Sequence, residues 1–281
     1  HGRFPVIEGC DCNQESWVWS CIVASENSVR QRSEMSETNS TIRPVRDRAL
    51  DLLKWLAMLS MVMDHLRYVG LHVDGLYVPG RLAFPWFCLA IAVNVTRNAV
   101  RDVPPAARWK YLAWLAVFSL LAELPYRLYM ADEVSTLNVL PTLALGLVVA
   151  QGGLSRSWPA RALGIVALGI GVACGSQLMF GAYGVLLPAA FALVLRRSLW
   201  LAIVPGVVCL LSNEWPKIID GMLWGDPISI GALIACLLAP LAGLALLRWR
   251  PGFSVWPMRR WAYLIYPGHF LLLFGLRQIF A

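Results

Sequence analysis

The chain has 281 residues, of which 58% are hydrophobic and only 15% charged, with a formal net charge of +7. A soluble domain lies nearer half apolar and a quarter charged, so an ordinary soluble enzyme is excluded and an integral membrane protein is indicated. The positive charge does not require a nucleic-acid partner, because cytoplasmic loops of membrane proteins are biased toward Lys and Arg.

Residues 1–48 form a polar N-terminal segment. It lacks the basic stretch and apolar core of a signal peptide. The native start is expected at Met35, which opens SETNSTIRPVRDR, so residues 1–34 are read as non-native or disordered. Cys10, Cys12 and Cys21 fall in this segment. Cys88, Cys174, Cys209 and Cys236 lie singly in apolar runs, where cysteine acts as a small hydrophobe. No metal-ligand spacing is present, and no metal is expected.

From residue 49 to 281 apolar runs of about 17–22 residues recur, the length that crosses about 30 Å of hydrocarbon. The expected spans are 49–70, 79–97, 109–130, 137–151, 160–178, 181–195, 198–213, 228–247 and 261–280. The fold class is therefore all-α, a polytopic transmembrane bundle of about nine spans. Arg43, Arg46, Arg97, Arg101, Lys110, Arg156, Arg196 and Arg248 are among the charges on one side of this alternation. The other side is left with Arg67, Arg81, Arg127, Lys217 and Arg277. That asymmetry predicts an N-in, C-out topology. There is no internal repeat of the kind that builds many transporters.

Within the first run stands Asp64-His65. An ionised residue at a membrane helix centre costs about 2.5–3.5 kcal/mol on insertion scales, which marks the pair as a functional site. The predicted topology brings Asp64, His65, Arg81, Glu123, Arg127, Asn138, Tyr183, Asn213 and Glu214 to one depth, converging on a cavity that opens outward. Each has a structural alternative. Asp64 can pair with Arg67 at i, i+3, Arg67 and Arg127 can reach the head groups, Tyr183 can belong to an interfacial belt, and Glu123-Leu124-Pro125 can be a helix end. His65 carries the stronger functional reading, since imidazole suits proton transfer near neutral pH. His269, in Tyr-Pro-Gly-His, is expected nearer the inner half of a helix interrupted by Pro267 and Gly268, with helix packing as its other reading. His72, beside Asp74 in an outer loop, receives no role. There is no zinc-protease, phosphate-loop or nucleophile-elbow motif.

Met63-Asp64-His65, Gly80-Arg81 with Phe84-Pro85, Pro125, Asn138, Thr142, Tyr183-Gly184 and Tyr266-Pro267 with His269 resemble the TraX family over about residues 50–273. Pro141 and Ala122 depart from its pattern, where an aromatic and a Ser are more usual. These F-pilin acetylase-like proteins of conjugation systems are also akin to membrane acyltransferases of surface glycans. The resemblance implies an acetyltransferase of the bacterial inner membrane that moves acetyl from acetyl-CoA to the N-terminal amine of a pilin-like periplasmic acceptor. A glycan O-acyltransferase, a proton-coupled transporter and a structural assembly factor are the alternatives. On the acetyltransferase reading His65 is the general base, with Asp64 or Glu123 as its partner. Arg81 and His269 serve the coenzyme end, and Arg81 can instead face the oxyanion. Asn138, Tyr183 and Arg127 meet the acceptor.

Overall fold

The computed structural model describes residues 47–70, 73–101, 105–130, 135–249, 251–258 and 260–280. The expected N-terminal segment, with its three cysteines, lies outside the described residues up to Arg46, as does His72. The α-helices longer than a single turn are α1 (Arg48–Leu66), α2 (Ala83–Val100), α3 (Pro105–Met130), α4 (Val139–Leu154), α5 (Trp158–Ala173), α6 (Gly181–Arg196), α7 (Ile203–Ser212), α8 (Trp215–Leu223), α9 (Pro227–Arg248) and α10 (Ile265–Phe280), with a one-turn helix, Tyr77–Gly80, leading into α2. Among the described residues the only β pairing is an isolated bridge between Leu137 and Leu178. The chain is all-α, as the composition predicts.

Each expected apolar run is a helix, and the helix ends follow local chemistry. α1 contains neither Gly nor Pro and ends in a 3₁₀ turn closed by Gly70, whose φ of 95° is the left-handed conformation that glycine adopts without strain. Asn138 caps α4 by accepting the Leu140 N–H at 3.0 Å, and Asp226 caps α9 by accepting from Ile228 and Ser229. One helix was not expected. Residues 215–223 read as a loop after the seventh run, yet α8 forms there, turned 91° from the helix before it. Pro216 sits in its first turn, where a missing N–H costs nothing, and Ile218 supplies the buried face.

Side-chain anchors fix the helix directions. Tyr129, near the end of α3, meets His65, near the end of α1. Phe118 stacks on Tyr263 and Tyr126 meets Phe270 edge-on, so α10 runs with α3. Ser60 Oγ donates to Pro79 O at 2.5 Å, which returns the chain into α2 at the same end of the bundle, and Glu123 meets Asn138 where α4 begins. α4 packs between α5 and α6, α2 lies on α1 and α6, and α9 packs on α7 and α8.

Two helical stretches, Asp74–Val100 and Pro227–Arg248, are long and apolar enough to cross a membrane alone. The bent pair Trp200–Ser212 and Trp215–Leu223 is a third if it forms one span. The other runs are limited by length or charge. α4, α5 and α6 have 16 residues each, a rise of about 24 Å against about 30 Å of hydrocarbon. α1 contains Arg48, Asp51, Lys54 and Asp64.

Candidate active site

Two histidines meet at the end of the bundle where α1 and α3 finish. His65 Nδ1 lies 2.9 Å from His269 Nε2, and the rings stack with centroids 5.0 Å apart. Phe270 packs on both, at 4.9 and 4.0 Å. The last turn of a helix leaves carbonyls without intrahelical donors, and here the Tyr129 hydroxyl donates to His65 O at 2.6 Å. Arg277 in turn donates to Tyr129 O at 3.0 Å.

The proton positions follow from the partners. His269 Nδ1 stands 3.2 Å from the Ile265 carbonyl, which can only accept, so Nδ1 carries the hydrogen. In the neutral ring Nε2 is then the acceptor, and His65 must donate to it from Nδ1. This assignment leaves the lone pair of His65 on Nε2, where a base needs it.

The expectation that His269 lies nearer the opposite half is corrected by this contact. α10 begins only at Ile265, so Pro267 falls in its first turn and does not break it. His269 comes up level with His65.

Asp64 points elsewhere. Its carboxylate takes Arg81 Nη2 at 3.1 Å on both oxygens and Arg67 Nε at 3.3 Å. Arg81 Nη1 donates to Asn213 Oδ1 at 2.6 Å, and its guanidinium lies 4.1 Å from the Tyr77 ring centre. Asn213, at the bend before α8, donates to Cys209 O and Cys236 Sγ. Gly80 lets the turn before α2 approach this carboxylate, for a Cβ there would lie 2.5 Å from Asp64 Oδ1. Two arginines against one carboxylate leave the cluster one positive charge in excess. Arg81 Nε is buried without a hydrogen-bond partner among the described residues.

The third group joins α3 to α4. Glu123 Oε2 accepts from Asn138 N and Nδ2 at 3.1 and 2.7 Å, and Glu123 Oε1 accepts from Arg127 at 2.6 Å. Asn138 is fully buried and also donates to Ser119 O. The structure therefore gives His65 its histidine partner and gives Asp64 and Glu123 arginine or amide partners. Arg127 is 56% exposed and Tyr183 45% exposed. Glu214 pairs with Lys217 at the surface.

The residue-by-residue reading passed over Tyr77, Tyr129 and Phe270. Glu123, Tyr126 and Tyr129 recur every three residues on α3, and Tyr266, Phe270 and Leu273 recur at three- and four-residue steps on α10. Those stripes are a sequence signal for Tyr129 and Phe270, and none points to Tyr77.

The family model described as TraX protein matches residues 49–277. The chain belongs to the TraX family. The match spans the whole helical bundle and takes in the His65–His269 pair, the Asp64–Arg81 cluster and the Glu123–Asn138 cap. No curated protein and no solved structure matches the chain. The apolar helices and the TraX family together identify a membrane protein.

The polar residues expected to share an outward-opening cavity do not line an apolar cavity found in this TraX-family bundle. A cavity of about 110 Å³ lies in the other half, walled by Met58, Phe87, Leu115 and Leu143, with Lys54, Asn94 and Tyr111 toward the far end. Its near end is formed by Val139 and Tyr266. Tyr266 also touches the His269 ring, with centroids 5.6 Å apart. Its hydroxyl is met by the Val139 N–H at 3.4 Å.

Proposed function

We propose that the chain is an integral membrane acetyltransferase that moves acetyl from acetyl-CoA to the N-terminal amine of a pilin-like protein at the periplasmic face of the bacterial inner membrane. The observation that carries this reading is the His65–His269 pair, which leaves an imidazole lone pair in a mostly apolar, aromatic-walled site. The amine nitrogen attacks the thioester carbonyl carbon while His65 Nε2 takes the amine proton. The C–N bond forms and the carbonyl oxygen becomes an oxyanion. On collapse the C–S bond breaks, and the coenzyme thiolate takes the proton back from His65. His269 accepts from His65 Nδ1 throughout and is well placed to favour the transient imidazolium. The excess positive charge of the Asp64–Arg67–Arg81 cluster favours the oxyanion, an effect strengthened where water is excluded.

In this reading the bundle has nine spans, N-in and C-out, with thin helices compensated by local bilayer thinning. The parallel course of α1, α3 and α10, and the return of α2 and α4 from the same end, support that alternation. The Glu123–Asn138 cap and Arg127 shape the outer rim toward the acceptor.

The test is transfer of labelled acetyl from acetyl-CoA to a pilin N-terminal peptide by purified protein. A general base contributes about 10²–10⁴-fold, so His65→Ala is expected to lose at least about a hundredfold in rate while still folding. Near-normal transfer by that variant overturns the assignment. Acetyl recovered on a surface glycan and not on the peptide would assign a hydroxyl acceptor.

A further inference from the structure

We infer that the cavity beneath Tyr266 is a donor slot, taking the extended acyl-thioester arm of acetyl-CoA from the end of the bundle opposite the Asp64–Arg81 cluster. The inference rests on the acetyltransferase reading and adds to it the side from which the donor comes.

Three observations support it. The first is position. Met58 and Lys54 precede His65 by seven and eleven residues on one helix, so they stand about 10 and 16 Å below it at 1.5 Å per residue. The slot therefore lies along the middle of α1, on the side of the histidines facing the helix's start. Tyr266 is at once its near wall and a ring neighbour of His269. The second is chemistry. The walls are apolar, which suits a thin thioester arm with few charges. The Tyr266 hydroxyl accepts from Val139 N, so its own proton can be directed to a thioester oxygen.

The third is charge. Lys54 lies in the slot, and Arg48, Arg97, Arg101, Lys110 and Arg248 are exposed on helix ends at the same end of the bundle. Against them stand Asp47 and the buried Asp51 among the described residues. The balance is cationic, as the phosphates of a nucleotide head require. A ligand with a thin apolar arm and a polyanionic head fits both features. On this arrangement the acetyl group passes from one face of the bundle to the other at the histidine pair, and the coenzyme itself never crosses.

The experiment uses the full chain in lipid nanodiscs with acetyl-CoA as probe. Benzoylphenylalanine placed at Phe87 or Met258, on the slot wall, is expected to photo-cross-link radiolabelled acetyl-CoA, with excess coenzyme A suppressing the product. The same group at Trp224, exposed beyond α8, is expected to give none. Ala262→Trp, which fills the slot, is expected to weaken acetyl-CoA binding by at least about tenfold, while His65→Ala binds as the parent does. Cross-linking confined to Trp224, or absent from both slot positions, overturns the donor slot whatever the fate of His65. Slot cross-linking together with an active His65→Ala variant would uphold the slot and remove the base.

Discussion

Removal of the His269 imidazole separates positioning from donor binding. In His269→Ala the His65 Nδ1–H loses the acceptor it holds at 2.9 Å. A donor left unsatisfied in a buried site costs about 1–3 kcal/mol. The His65 ring is then free to turn or to exchange its proton to Nε2, and either change withdraws the lone pair. If that cost falls on the reactive arrangement, kcat drops by about 5–150-fold. His269→Gln restores a carbonyl acceptor on an unbranched side chain and is expected to recover most of the loss. The assay is steady-state transfer at varied acetyl-CoA, with thermal melting as the fold control. Positioning predicts a fall in kcat with donor KM nearly unchanged, and rescue by Gln. An unchanged kcat in His269→Ala would refute the positioning role. A raised donor KM in both variants without rescue would return His269 to the coenzyme-binding role implied by the family resemblance.

Three further outcomes follow from the same contacts. Asp64→Asn strands Arg67 and Arg81 without their carboxylate, and breaking a buried pair typically costs about 3–5 kcal/mol. Adding Arg81→Gln, which takes away one of the two stranded charges, should restore part of the melting temperature, and no restoration would deny the pairing. Gly80→Ala places a methyl within 2.5 Å of Asp64 Oδ1 and should destabilise the fold by about 1–3 kcal/mol, read by denaturation, while reducing transfer. At the surface, hydrogen bonds from Ser229 hold the Asp226 carboxyl below its ordinary value of 3.8. The unfolded chain therefore binds this proton first on acidification. The stabilising contribution is full above about pH 3.8 and is lost as pH falls through the lower folded value. Asp226→Ala should lower the melting temperature at neutral pH, with the difference shrinking only below that range.

The helices were legible because apolar runs of membrane length leave few alternatives, and because Gly70, Asn138 and Asp226 are strong end signals. α8 was not legible. Its nine residues carry Lys217 and Asp220 on one side and Ile218 on the other, a pattern too short to distinguish from a polar loop. At the site, a charged residue in an apolar run drew attention to His65, Asp64 and Arg81, and loop charges put them at one depth. The pairing was beyond the sequence. Neighbours on a helix diverge by about 100°, so Asp64-His65 reads as a pair in the chain and splits in space. His269 was misplaced because Pro267 and Gly268 read as a break, when in fact they occupy the start of α10. The cavity was illegible for another reason. Its walls are mostly ordinary apolar residues on five helices and the connection before α10, and only their packing leaves a gap.

The division of Asp64 from His65 also explains why both can be kept. Were Asp64 hydrogen-bonded to His65, Arg81 and Arg67 would have one fewer partner and a larger uncompensated charge in a largely shielded part of the bundle. Committing the carboxylate to the arginines reduces that cost while leaving one positive charge in excess and the buried Arg81 Nε–H without a partner among the described residues. The histidine then needs a neutral partner, and a second imidazole anchored by the Ile265 carbonyl provides one without adding charge. In the proposed reaction the base gains a proton as the acyl oxygen gains negative charge, so an acceptor for the first and a positive field for the second must lie close together without neutralising each other. Separate partners for adjacent residues meet that requirement.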